Sequence, residues 1–135
     1  LICETRDKLK PEFHNLPGIE IVRLRQSGVE VTTRIELPLI AYLGDTRSIP
    51  IASHPLLTQC KVLICECTFL MPEHRDRAEK TMHLHLDTLP MLLESFESEH
   101  IVLTHFSRRY TPETIQKLIY SMLSPANCSR IQLLL

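Results

Sequence analysis

Three apolar runs in this chain each stop on a polar residue, and that pattern leaves few folds open. Leu39-Ile40-Ala41-Tyr42-Leu43 ends at Gly44-Asp45-Thr46, Lys61-Val62-Leu63-Ile64-Cys65 ends at Glu66-Cys67-Thr68, and Ile101-Val102-Leu103 ends at Thr104-His105. The apolar part of each run needs a buried strand, whereas the residues that follow are at ease only facing water, ligand or metal. In an open α/β sheet, ligands gather outside the carboxyl ends of the strands. Asp45, Glu66 and His105 therefore stand at comparable places, and three such endings in one short chain point to one shared site.

Between the runs the pattern is helical, which sets the class as α/β. Residues 5–16 mix charge with Leu9, Phe13 and Leu16 and are expected to hold a short helix before the turn at Pro17-Gly18. Ile19 to Leu24 reads as strand or helix and is broken by Gln26-Ser27-Gly28; Val29 to Ile35 alternates with the period of a half-buried strand near an edge. A connecting helix is expected from Pro50 to Leu57, and an exposed loop or helix over the polar stretch Met71 to Lys80. Leu86, Leu89, Leu92, Leu93 and Phe96 recur at helical spacing within Leu84 to Phe96, with Pro90 in the early turns. A last helix starts at Thr111-Pro112, with Thr111 as cap and Pro112 in its first turn, and stops near Leu123 before Ser124-Pro125.

At 135 residues the chain is long enough for one domain with a real core. Hydrophobic residues make up 44% and charged residues 23%, the balance of an ordinary soluble domain rather than a disordered one. A net charge of -1 gives no global pull toward nucleic acid, so such a partner would meet the local arginine pairs Arg75/Arg77 and Arg108/Arg109. No apolar stretch reaches the ~18 residues of a membrane helix, and the five cysteines, mostly set in apolar runs, read as reduced core thiols of a cytoplasmic protein. Cys65-Glu66-Cys67 is C-x-C, not the C-x-x-C of a zinc knuckle. The chain begins at Leu1 without Met and ends on three leucines, which suggests a fragment.

Each polar ending has a chemical reading and a plainer one. After Gly44, Asp45 can bridge two cations or can simply cap a turn. Glu66 would be costly to bury alone, so it needs a partner: a histidine, which would make a proton-donating pair, or an arginine in a structural salt bridge. His83-Leu84-His85-Leu86-Asp87-Thr88 resembles an H-x-H-x-D-H dinuclear metal loop, but Thr88 stands where the last histidine belongs, and one of its histidines can be purely structural. His105 is followed by Ser107, Arg109 and Tyr110, a ligand and several phosphate-competent donors within six residues.

The order Gly44-Asp45-Thr46, Cys65-Glu66-Cys67-Thr68-Phe69, His83, then Leu103-Thr104-His105-Phe106-Ser107-Arg108-Arg109-Tyr110 resembles the ribonuclease Z branch of the metallo-β-lactamase superfamily. The resemblance covers the whole chain and implies a single partial domain, residues 1–135, forming the C-terminal half of an αββα sandwich with a dinuclear zinc site. It implies that Asp45 bridges the metals, that His105 is a terminal ligand, and that Glu66 and His83 protonate the leaving oxygen. Ser107, Arg109 and Tyr110 fall where the family contacts phosphate. Cys65 and Cys67 replace the residues that flank the family's acid, and Leu84-His85 replace the Ser-Thr that follows its histidine. The family's H-x-H-x-D-H loop lies upstream of the Gly-Asp-Thr motif, and before Asp45 this chain has only His14.

The resulting expectation is a zinc-dependent phosphodiesterase that cuts the 3′ trailer from precursor tRNA and is incomplete as it stands. The alternatives are a superfamily hydrolase with another substrate and a non-catalytic half-domain that binds a partner. The implied partners are precursor tRNA or another phosphodiester, the missing N-terminal half, and a second copy of the chain.

Overall fold

The computed structural model describes residues 1–46 and 54–135. The strands are β1 (Ile2–Leu9), β2 (Thr32–Tyr42), β3 (Val62–Glu66), β4 (His100–Thr104) and β5 (Ile131–Leu133), of which the end of β2 pairs with β3, β3 with β4 and β4 with β5. The chain divides into two compact units, Cys3–Leu37 and Leu1–Ile2 with Pro38–Leu135.

In the smaller unit a 3-10 turn at Pro11–Phe13 leads to helix α1 (Gly18–Gln26). Residues 5–16, expected to be helical, instead give β1 and that short turn. Ile19 to Leu24 resolves as helix, and Gly28 with φ of 86° follows its cap at Ser27, a backbone conformation that glycine adopts without strain. The Lys10 N–H donates to the Val31 carbonyl at 2.9 Å, closing the unit beside a buried Val31.

In the larger unit the strands are parallel: Ala41 lies opposite Leu63, Leu63 opposite Ile101, and Ile101 opposite Ile131. That row, with Cys65 and Leu103, faces the core formed with Leu86, Leu89, Leu93 and Ile119. The alternate residues Ile64 and Val102 are only partly covered, and Tyr42 in the same row is 64% exposed. The two runs read separately as Val29–Ile35 and Leu39–Leu43 are joined into the single long β2. Pro38 interrupts donation within β2, but its carbonyl still accepts from Lys61 N–H at 3.4 Å.

The helices of this unit are α2 (Pro55–Thr58), α3 (Arg75–Thr81), α4 (Leu89–Glu94), α5 (Pro112–Met122) and α6 (Pro125–Cys128). The start of the connecting helix expected from Pro50 lies outside the described residues. The helical span expected from Leu84 shortens to α4, preceded by a 3-10 turn at Leu86–Thr88, because Leu84 and Leu86 are bound to the backbone of Phe69 in extended pairing. Thr111 caps α5, accepting from Thr114 N–H, and Pro112 opens it.

Beyond α5 the chain makes α6 and then β5, a strand of three residues with no sequence signal of its own. Arg130 anchors this end. Its guanidinium donates to the carbonyls of Leu93, Phe96 and Ser98 at 2.7, 2.7 and 3.0 Å and to Asn127 Oδ1 at 2.7 Å, tying off the end of α4. Burial lowers the Arg130 pKa from its ordinary value, and these acceptors offset the cost of partial desolvation. Arg130→Met is expected to destabilise the chain by about 3 kcal/mol, measured by urea denaturation; a change under about 0.5 kcal/mol would remove the anchor from this account.

Candidate active site at the strand ends

The ends of β2, β3 and β4 converge, and their polar residues meet there. Glu66, the last residue of β3, is 1% exposed and accepts from five donors. Its Oε1 takes the backbone N–H of Thr46 at 3.1 Å, that of Leu84 at 2.9 Å, and His83 Nδ1 at 3.0 Å; its Oε2 takes the Thr68 N–H at 3.0 Å and the Thr68 hydroxyl. The partner of Glu66 is thus a histidine, not an arginine. Such a dense donor set satisfies the carboxylate oxygens at a depth where an unpaired polar group would be prohibitive.

His83 reaches Glu66 because the segment after α3 turns back at Met82, with φ of 57°, and pairs along Phe69, whose N–H donates to the Leu84 carbonyl at 3.2 Å. A carboxylate can only accept, so neutral His83 carries its proton on Nδ1 and leaves Nε2 as an acceptor. His105 follows β4 with φ of 59°, a left-handed conformation uncommon outside glycine, which turns its ring toward Asp45 and His83. Its Nδ1 lies 2.8 Å from the Thr68 hydroxyl and 3.5 Å from Asp45 Oδ1, and its ring stacks on His83 with centroids 5.2 Å apart.

Asp45, His83 and His105 each bring a ligand-type atom within 4.8 Å of the others. One carboxylate and two imidazoles form a donor set that suits zinc, and the Nδ1 atoms of both rings are held by hydrogen bonds, as second-shell partners hold ligating histidines. The residues present therefore fit a metal. Asp45 and His105 are exposed while Glu66 is sealed, so charge is buried only on the side away from solvent.

The string His83-Leu84-His85-Leu86-Asp87 does not act as a unit. His85 is buried, its Nε2 donates to the Met71 carbonyl at 2.9 Å, and its Nδ1 accepts from the Asp87 N–H at 3.2 Å, so it is a structural histidine that shapes the loop. Asp87 pairs with Arg75. A cavity of about 270 Å³ lies beside these residues, bounded by His83, Leu84, Ala78 and Arg75. Of the residues after His105, Arg109 is exposed and donates to Ser107 Oγ at 3.2 Å. Tyr110 turns inward: its hydroxyl accepts from the Leu70 N–H at 3.1 Å and is 2.6 Å from His74 Nδ1. Cys65 and Cys67 are fully buried; burial pushes the Cys65 thiol up to about 12 and the Cys67 thiol well above its ordinary range.

Two participants escaped sequence reasoning, Thr68 and His74. Thr68 is signalled by its place two residues after Glu66 in extended chain, which sets both side chains on one face. His74 lies in a polar stretch with no period to mark it.

Comparison with known proteins bears on the fold and the relatives of the chain. A diphosphatase of the PhnP family superposes with a TM-score of 0.51 at 25% identity, over 77% of this chain and 35% of that one. YhfI from Bacillus subtilis, a metallo-β-lactamase fold protein, superposes with a TM-score of 0.55 at 12% identity, over 98% and 46%. The α/β sheet with histidines and a carboxylate at its strand ends is thus a metallo-β-lactamase fold. Among curated proteins, the chain is 35% identical over 128 residues to tRNase Z TRZ1 of Arabidopsis thaliana, covering 93% of this chain, and 32% identical over 136 residues to the chloroplastic tRNase Z TRZ2 of the same plant, covering 98%. The chain is therefore similar in sequence to tRNase Z proteins and shares the metallo-β-lactamase fold. It spans 46% and 38% of the length of those two relatives. No family model matches the chain. Among the described residues no helix is long and apolar enough to cross a membrane.

Proposed function

We propose that this chain is the C-terminal portion of a single metallo-β-lactamase domain acting as a zinc-dependent phosphodiesterase on the 3′ end of precursor tRNA. The observation that carries the reading is the Glu66–His83 pair beside Asp45 and His105. Asp45 and His105 would hold zinc, with two ions in the complete domain and the remaining ligands supplied by an upstream half. Zinc bound there supplies charge neutralisation on the phosphate and a more acidic water.

The chain's own residues supply the rest. Glu66, ionised and fixed by four other donors, stabilises the His83 imidazolium through Nδ1, and His83 presents a proton on Nε2 to the departing oxygen. Half-buried Ser107 and exposed Arg109 are the phosphate contacts that remain accessible, while the Tyr110 hydroxyl is engaged by the Leu70 N–H and His74. The partly covered row of Tyr42, Ile64 and Val102 supports an N-terminal half as the partner that completes the sandwich, since an apolar sheet face needs a second layer.

The test uses protein that contains the upstream half. Asp45→Ala and His105→Ala are each expected to lower precursor-tRNA cleavage by about 100- to 1,000-fold and to reduce bound zinc. Retention of both properties in either variant would reject the assignment. Preferential cleavage of a small phosphodiester over precursor tRNA would favour a superfamily hydrolase with another substrate.

A further inference from the structure

We propose that Thr68 is a positioning residue that transmits the charge of Glu66 to His105 and fixes the proton of the His105 ring on Nδ1. The inference rests on Asp45 and His105 being the metal pair of the proposed phosphodiesterase. Thr68 is buried, and its hydroxyl lies between two groups, Glu66 Oε2 and His105 Nδ1, the latter at 2.8 Å.

A threonine hydroxyl has one hydrogen to give. An ionised carboxylate accepts and never donates, so that hydrogen goes to Glu66 Oε2. The Thr68 oxygen is then available to His105 only as an acceptor, and His105 must carry its hydrogen on Nδ1. Its Nε2 is left with a lone pair, the form in which an imidazole binds a metal. Asp45 Oδ1 also faces Nδ1, but at 3.5 Å, beyond the ordinary hydrogen-bond distance, and it is exposed to water on its other side. The neighbouring His83 Nδ1 is 3.4 Å from the same hydroxyl and 3.0 Å from Glu66 Oε1, so its hydrogen goes to the carboxylate. One glutamate thereby sets the tautomer of both stacked rings, His83 directly and His105 through Thr68. The two Nε2 atoms are the ones left for metal and substrate.

The experiment is nitrogen-15 NMR of the histidine rings in metal-free protein that contains the upstream half, at a pH where both rings are neutral. The expected result is His105 as the Nδ1–H tautomer in the unaltered chain and in Thr68→Ser, with a shift toward Nε2–H or a mixture in Thr68→Val. Titration with Zn²⁺ alone is expected to show affinity about tenfold weaker in Thr68→Val and restored in Thr68→Ser. His105 found as the Nε2–H tautomer in the unaltered chain would overturn the proposal, whether or not the valine variant folds. An unchanged tautomer in folded Thr68→Val would overturn it as well. A tautomer shift with unchanged Zn²⁺ affinity would support the relay and count against His105 as a metal ligand, which separates failure of the phosphodiesterase reading from failure of this one.

Discussion

Glu66→Ala is expected to unfold the strand-end site, lowering stability by about 4 kcal/mol, and Glu66→Gln is expected to cost roughly half as much while lowering the cleavage rate by about 100-fold or more. Alanine removes the acceptor for three backbone N–H groups, one hydroxyl and one imidazole at a place that is 1% exposed. Each donor orphaned in the interior costs about 1–3 kcal/mol, less whatever water recovers in the space left by the side chain. Glutamine keeps the size and one carbonyl oxygen, but its amide hydrogens must face donors on one side, either at Thr68 or at Leu84 and His83. If the amide faces His83, the ring loses its acceptor and its imidazolium loses the nearby negative charge, so proton donation suffers more than binding. Urea denaturation and the kcat of a metal-loaded enzyme containing this chain measure the two effects. Stability of Glu66→Gln within about 0.5 kcal/mol of the parent, together with an unchanged kcat, would show that the buried network does not matter.

The part of the fold that was legible in the sequence is the part where local chemistry and burial agree. Val62 to Glu66 is a strand by composition and a strand in the structure, and Thr111-Pro112 is a helix start in both. The differences arise where tertiary pairing decides. Leu84 looks helical by spacing but is drawn into extended pairing with Phe69, and the three residues of β5 become a strand only because Ile101 N–H finds the Arg130 carbonyl at 2.8 Å and Leu134 N–H finds that of Leu103 at 2.9 Å. Residues 5–16 carry no clean period, and β1 is made by its neighbour rather than by its own pattern.

The site was legible as types of residue at strand ends, since only a polar contact explains a charged side chain directly after a buried run. What spacing could not supply was the direction of each hydrogen bond. The family resemblance, not the spacing, implies that Asp45 goes with His105 and Glu66 with His83. The structure joins the two pairs through Thr68, a residue whose small hydroxyl gives no signal unless its two neighbours are already in place.

The cysteines that flank Glu66 set the second large effect, which is expected at alkaline pH. Cys65 and Cys67 are 0% exposed, and desolvation raises both thiols, Cys65 to about 12 from an ordinary 9.0, with the nearby Glu66 charge adding to the rise. Between those two values the folded chain keeps the Cys65 proton while the unfolded chain loses it, so the unfolded state binds fewer protons and unfolding becomes easier as pH rises. The contribution is fully present below about pH 9 and is lost progressively toward about pH 12, at about 1.4 kcal/mol per pH unit for each thiol that stays protonated. Stability measured by denaturant from pH 8 to 11 should therefore hold up to about pH 9 and then fall, with Cys65 and Cys67 both contributing to the fall. Replacing both with alanine should flatten that slope even though the variant starts less stable, because cavities form where the sulfurs packed. The same burial predicts that a thiol reagent will modify Cys65 and Cys67 only at the rate of unfolding. A slope identical in the parent and the double variant would mean that these thiols meet water in the native state, and with them the carboxylate of Glu66 between them.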